Sequence, residues 1–224
     1  MNFVCGPEHD KRHLTFKLPS YEISDTQSPN YGVYLRVNRL KGDRSIGILL
    51  SGGLDSALLY YLLLKENRDI GNLFKITPYT ILRKEGSRQH ALGVINYINS
   101  LFNIESANLN VVGDNTLPEI KQVISGQNDV LLENDFVYVG IIEARPEHSI
   151  GWERPGFKEK LRVLYPFLNL QKSHIVDLIC QNNLQPLFEL THSCAVHETD
   201  PCGVCNGCRE RQWGLEQMNL PTSL

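Results

Sequence analysis

Two stretches of this 224-residue chain gather residue types that do chemistry. The first is Ser51-Gly52-Gly53-Leu54-Asp55-Ser56, which separates two apolar runs. Residues 45–50 are short and rich in Ile and Leu, which predicts a buried strand. From Asp55 the chain is Leu-rich and free of Gly and Pro until Gly71, which predicts a helix. Gly52 and Gly53 permit positive φ and let backbone N–H groups approach an anion with no Cβ in the way. Ser51 and Ser56 carry hydroxyl donors, and the helix that follows presents its positive end. The pattern predicts a phosphate-binding loop. It is not the common NTPase loop, because the chain holds no GxxxxGK(S/T) and so lacks that loop's lysine. Asp55 is anomalous beside phosphate. Either it caps the helix by accepting backbone N–H bonds, or it holds Mg²⁺ between itself and the phosphates. The competing structural reading is a strand-to-helix turn, glycine for geometry and Ser/Asp for capping.

The second stretch is THSCAVHETDPCGVCNGCRER, with Cys194, Cys202, Cys205 and Cys208 spaced C-x7-C-x2-C-x2-C. In a reducing compartment such clustering reads as a metal site before disulfides. Four thiolates suit a closed tetrahedral Zn²⁺ site with no position for water, hence a structural metal. An iron–sulfur cluster uses the same donors and is the alternative. His192 and His197 flank the cluster as substitute ligands or surface residues, and Arg209 and Arg211 as phosphate contacts or surface residues. Of six cysteines, Cys5 and Cys180 remain, and Cys180 ends an apolar pattern that fits the core.

The elements that must position these stretches alternate. After the strand at 45–50 and its helix come strands at 73–82, 107–112 and 136–142. Helices fall at 87–102, weakly at 117–125, and at 171–183. That order predicts an α/β fold, a mostly parallel sheet with helices on both faces. Ligands of such sheets bind beyond the carboxyl ends of the strands, where residues 51–56 sit. Leu14, Phe16 and Leu18, then Val33, Leu35 and Val37, alternate as in half-buried strands. The expected organisation is an N-terminal β extension over 1–44, a nucleotide-binding α/β domain over 45–185, and a zinc-binding segment with a helix over 186–224. A formal net charge of −3 argues against a nucleic-acid-coating surface. With no apolar run of membrane length and a polar start, no membrane partner and a cytoplasmic location are expected.

SGGLDS after an Ile/Leu strand resembles the signature of the PP-loop ATP pyrophosphatases. Combined with CGVCNGCRER and with YPFLNLQKSHIVDL at 165–178, it resembles the 7-cyano-7-deazaguanine synthase (QueC-like) family. The resemblance covers about residues 45–217 and implies an adenine-nucleotide alpha hydrolase-like fold. It implies an ATP-dependent ligase that adenylates the carboxylate of 7-carboxy-7-deazaguanine, releasing pyrophosphate, and passes the acyl group to ammonia. Carried over, Ser51, Gly52, Gly53, Leu54, Asp55 and Ser56 hold ATP, and Asp55, Ser56 and Lys172 serve catalysis. Lys172 contacts phosphate or is a solvated lysine on a helix's first turn. His90 in RQHA matches a position near the nucleotide, and Arg145 in GIIEARPEH is the candidate substrate contact. Cys194, Cys202, Cys205 and Cys208 bind structural Zn²⁺, and Mg²⁺ accompanies ATP. Family members often form homodimers.

The family's longer substrate-reading stretch appears here only as GIIEARPEH, and 44 residues precede the strand that leads into the loop. Adenylation is therefore the firmer expectation, and the acceptor amine is open. One alternative is a QueC-like enzyme of bacterial antiphage defence, joining the deazaguanine to a protein amine docked on residues 1–44. Another is a PP-loop tRNA-modifying enzyme, which would want a reactive cysteine pair besides the four.

Overall fold

The computed structural model describes residues 44–81, 87–105, 109–142, 162–168 and 170–222. The strands expected before residue 44, and Arg145, lie outside the described residues.

The Ile/Leu run forms β1 (Arg44–Leu49). α1 (Leu54–Asp69), β2 (Phe74–Ile81), α2 (Ser87–Phe102) and β3 (Asn110–Val112) follow it. α3 (Glu119–Glu133), β4 (Phe136–Val139), β5 (Val163–Leu164) and α4 (Lys172–Gln181) continue the alternation, then α5 (Leu187–Leu190) and α6 (Asn206–Gln217). Every strand pair is parallel, and the sheet order is β3-β2-β1-β4-β5. The chain moves outward from β1 through β2 to β3, then restarts on β1's other flank with β4. The carboxyl ends of β1 and β4 therefore form the topological switch point, where the crevice of such a sheet opens.

α1 is apolar nearly all round because it is covered on more than one side: Leu54, Ala57, Leu58, Leu59, Tyr60 and Leu63 are buried. It stops where Gly71 takes φ 87° and its N–H returns to Arg68 O at 3.0 Å. On this face of the sheet Ile46 and Ile48 of β1, with Leu50 just past its end, meet α1, α2 and α4 in one core. Leu187, Phe188, Leu215, Met218 and Leu220 from residues 186–224 join that core. The opposite face packs Leu49, Tyr79, Val137 and Val139 with Val130 of α3. α3 lies so close that a Cβ on Gly47 would stand 2.1 Å from Val130 Cγ1.

Among the described residues the strands and helices expected from residue 45 onward appear, and two of the elements call for comment. α3 runs well past residue 125, because Gly126 marks close packing instead of an end: a Cβ there would meet Ile81 Cγ1 at 2.9 Å. β5 was not expected. Its two residues give an apolar signal too short for periodicity, and pairing with β4 makes the strand.

Candidate active site and metal centre

The loop after β1 turns at Gly52, whose φ of 77° only glycine adopts without strain. Gly53 is the N-cap of α1, with no side-chain cap. The Ser56 hydroxyl donates to Gly53 O at 3.1 Å, accepts from Ser51 N–H at 3.2 Å, and lies 3.1 Å from Ser51 Oγ. Ser51 Oγ in turn accepts from Gly53 N–H at 3.3 Å. The two serines thus fold the loop back on itself, and Ser56 is buried. Its first expected part, donation to a ligand, is taken up by the loop in this state. Leu54 is in the core, so only its backbone faces the crevice. Helix geometry leaves the first-turn amides of α1 without intrahelical partners, a ready seat for an anion.

Gly140, just past β4, closes the other side of the switch point. A Cβ there would stand 2.9 Å from both Ser56 N and Cα, so only glycine lets this chain end reach the helix start. A glycine inside an apolar strand pattern is the sequence signal for such an approach.

Asp55 turns to a lysine side chain instead of capping α1. Both its oxygens accept from Lys172 Nζ, at 2.6 and 2.7 Å. Lys172 opens α4, whose start is fixed by Gln171 N–H donating to His174 Nδ1 at 3.0 Å. The solvated-lysine reading is overturned: the Lys172 side chain is 6% exposed, Asp55 21%. Gly214 of α6 makes room for the lysine stem, since a Cβ there would stand 2.6 Å from Lys172 Cγ. Ser51, Gly53, Asp55, Lys172, His90 and His192 line a cleft with about 670 Å³ of empty space. It is the crevice the sheet topology predicts.

The wall of that cleft is the segment between α5 and α6. His192 N–H donates to Gly52 O at 3.0 Å, tying the segment to the loop. Ser193 O packs where a Cβ on Gly207 would stand, 2.0 Å away, so α6 seats directly on it. Cys194 follows, Cys205 is the N-cap of α6, and Cys208 lies in its first turn. The four Sγ atoms of Cys194, Cys202, Cys205 and Cys208 all lie within 4.8 Å of one another. Cys194 and Cys205 Sγ are 4.0 Å apart. Tetrahedral sulfurs about 2.3 Å from Zn²⁺ would be roughly 3.8 Å apart, so the donor set fits a metal ion closely. None of the four is in a disulfide.

Backbone donors prepare the sulfurs for negative charge. Cys194 Sγ accepts from His197 N–H at 3.3 Å, Val196 N–H at 3.4 Å and Cys202 N–H at 3.5 Å. Desolvation raises the Cys194 thiol, but these donors outweigh it and bring its pKa down to about 6. Cys208 is pushed up to about 12, by burial first and then by its bond to Cys205. A cation among the sulfurs removes that conflict, because a metal binds thiols as thiolates.

His192 is not a free surface residue, and Arg211 does not reach for phosphate. Arg211 is buried, and its Nη1 donates to Thr191 O at 3.0 Å and to Thr191 Oγ1 at 3.1 Å. Its Nη2 donates to Phe188 O, so the guanidinium pins α6 to the end of α5. No helix among the described residues is long and apolar enough to cross a membrane.

Comparison with known proteins divides the chain as its two motifs do. Residues 36–132 match the family described as asparagine synthase, and residues 142–219 match the queuosine biosynthesis protein QueC. A 7-cyano-7-deazaguanine synthase of Thermoplasma volcanium is 34% identical over 107 residues, covering 44% of each chain. Another, of Prochlorococcus marinus, is 25% identical over 220 residues, covering 80% of this chain and 96% of that one. The matched stretch therefore spans under half of the first relative and nearly all of the second. The solved U34-tRNA thiolase NcsA from Methanococcus maripaludis with its 4Fe–4S cluster aligns at 15% identity and a TM-score of 0.45. That alignment covers 82% of this chain and 69% of that one.

Proposed function

We propose that this QueC-like chain of the PP-loop type activates the carboxylate of 7-carboxy-7-deazaguanine with ATP and transfers the acyl group to ammonia. The observation that carries the reading is the Ser51–Ser56 loop at the switch point, with Lys172 held over it by Asp55.

A carboxylate oxygen attacks the α-phosphorus, and the bond from that phosphorus to the bridging oxygen breaks. Pyrophosphate departs with the electron pair and leaves an acyl-adenylate. Ammonia then adds to the acyl carbon, AMP leaves, and a proton from nitrogen is lost to give the amide. A second round on the amide oxygen, followed by loss of AMP, gives the nitrile.

In this scheme the amides of Gly52, Gly53 and Leu54 and the hydroxyls of Ser51 and Ser56 receive the phosphates. Lys172 exchanges one Asp55 oxygen for a phosphate oxygen, and Asp55 keeps the ammonium aimed at the loop. Once turned to the phosphates, the loop donors and the buried ammonium lower the barrier by stabilising the charge that moves to the leaving group. Mg²⁺ would accompany ATP as the partner of its phosphates and would supply positive charge beside the Asp55–Lys172 pair. His90 borders the nucleotide, and Arg145 contacts the substrate acid. Cys194, Cys202, Cys205 and Cys208 hold Zn²⁺, which supplies folding energy to the cleft wall.

The test is incubation with ATP, the deazaguanine acid and ammonium, with products identified by mass spectrometry. AMP and pyrophosphate in step with amide or nitrile are expected. ADP, or no nucleotide turnover, refutes the reading. AMP release without amide, together with a deazaguanine adduct on an added protein, moves the acceptor from ammonia to a protein amine.

A further inference from the structure

His90 on α2 and His192 before the cysteines stack face to face, with ring centroids 4.6 Å apart and planes 12° from parallel. Each ring also reaches the loop between Cys194 and Cys202. His90 Nε2 lies 2.9 Å from Glu198 O, and His192 Nε2 lies 2.6 Å from His197 O. A carbonyl oxygen only accepts, so both Nε2 atoms donate. The His197 N–H donates to Cys194 Sγ, so adjoining peptides are gripped by imidazoles on one side and by a metal-site sulfur on the other.

The phosphate loop shares the same anchor. His192 N–H donates to Gly52 O, and His192 O lies 3.5 Å from where a Cβ on Gly53 would stand. His90, His192, Ser193 and Cys194 form a common wall. On one side is the cleft before the phosphate loop; on the other is a second, solvent-open pocket bordered by Cys208 and Arg211.

We propose that the His90–His192 stack is a clasp coupling metal at the four cysteines to nucleotide at residues 51–56. The inference rests on the reading that ATP binds this loop. A metal ion fixes Cys194 and Cys202, which holds the 197–198 carbonyls where the stacked imidazoles meet them. The stack then holds His192 where its N–H closes on Gly52 O. Anything that orders one end lowers the ordering cost at the other, so the coupling is reciprocal: bound nucleotide must tighten metal by the factor by which metal tightens nucleotide. His90 and His192 act as positioning residues.

The experiment is an equilibrium competition for zinc between the full chain and a chromophoric chelator, with and without a saturating, Mg-loaded, non-hydrolysable ATP analogue. Analogue binding is measured separately by calorimetry. The analogue is expected to raise zinc affinity by at least about fivefold, within the usual range of coupling between sites. That factor should fall toward one in His90→Ala. It should partly return in His90→Gln, whose side-chain amide can still donate to Glu198 O. Unchanged zinc affinity despite measured analogue binding overturns the clasp and leaves the phosphate loop standing. A full coupling factor in His90→Ala also overturns it. Failure of the zinc-loaded chain to bind the analogue removes both readings together.

Discussion

Replacing Lys172 with Met removes the cation over the phosphate loop and keeps the unbranched stem that fits beside Gly214. Because the volumes are similar, repacking should contribute under about 1.5 kcal/mol. The larger effect falls on Asp55, whose two oxygens lose donors at 2.6 and 2.7 Å. Breaking a fully buried pair costs about 3–5 kcal/mol, because the remaining charge is left without compensation. Asp55 keeps 21% exposure and sits in the first turn of α1, so water and the helix dipole recover part of that. A loss of roughly 2–3 kcal/mol is therefore expected. For a chain of this size that lowers Tm by about 4–12 °C. Urea and thermal unfolding measure it. Asp55→Asn should be strongly destabilising alone, because it strands Lys172 at 6% exposure, but near neutral in the Lys172→Met background. If Lys172→Met matches the parent in stability and the double variant is simply additive, the ion pair contributes nothing. The placement of the lysine would then need another cause.

Gly140→Ala forces a Cβ to within 2.9 Å of Ser56 backbone. It should cost about 1–3 kcal/mol and weaken nucleotide binding in a labelled-ATP titration. Gly93→Ala, where a Cβ meets nothing within 4 Å, is the control and should stabilise α2 by up to about 1 kcal/mol. Cys205→Ser should drop bound zinc below one equivalent by atomic spectroscopy and lower Tm in the same preparation, because an incomplete thiolate set gives up folding energy. A zinc-replete Cys205→Ser protein of parental stability would refute the four-cysteine assignment.

The loop was legible because everything that makes it is local. An apolar strand, two glycines and a Leu-rich helix lie within one short run, and only tertiary packing could have overridden them. The cysteine cluster was legible for the same reason, since its spacing alone brings four sulfurs together. What surrounds them was not. Lys172 and Asp55 are 117 positions apart, and nothing in either neighbourhood announces a partner. The reading of Lys172 as solvated failed because α6 covers it, and that cover depends on Gly214, an unremarkable glycine in a polar helix. His192 and Arg211 looked like surface residues because their flanks are polar. Arg211 is engaged because its guanidinium reaches the carbonyls at the end of α5, and His192 because it stacks on His90 and meets His197 O. The weak helix expected at 117–125 extends to Glu133 for a reason of the same kind, since Gly126 is a contact point against Ile81.

The bond from His192 N–H to Gly52 O has a consequence for biosynthesis. The strand, the turn and the first helix leave the ribosome well before the residues that hold them. The lysine that overlooks the turn lies 117 positions after Asp55, and the amide that finishes the turn comes later still. A nascent chain therefore cannot close this turn until residues made long after it have folded back onto it.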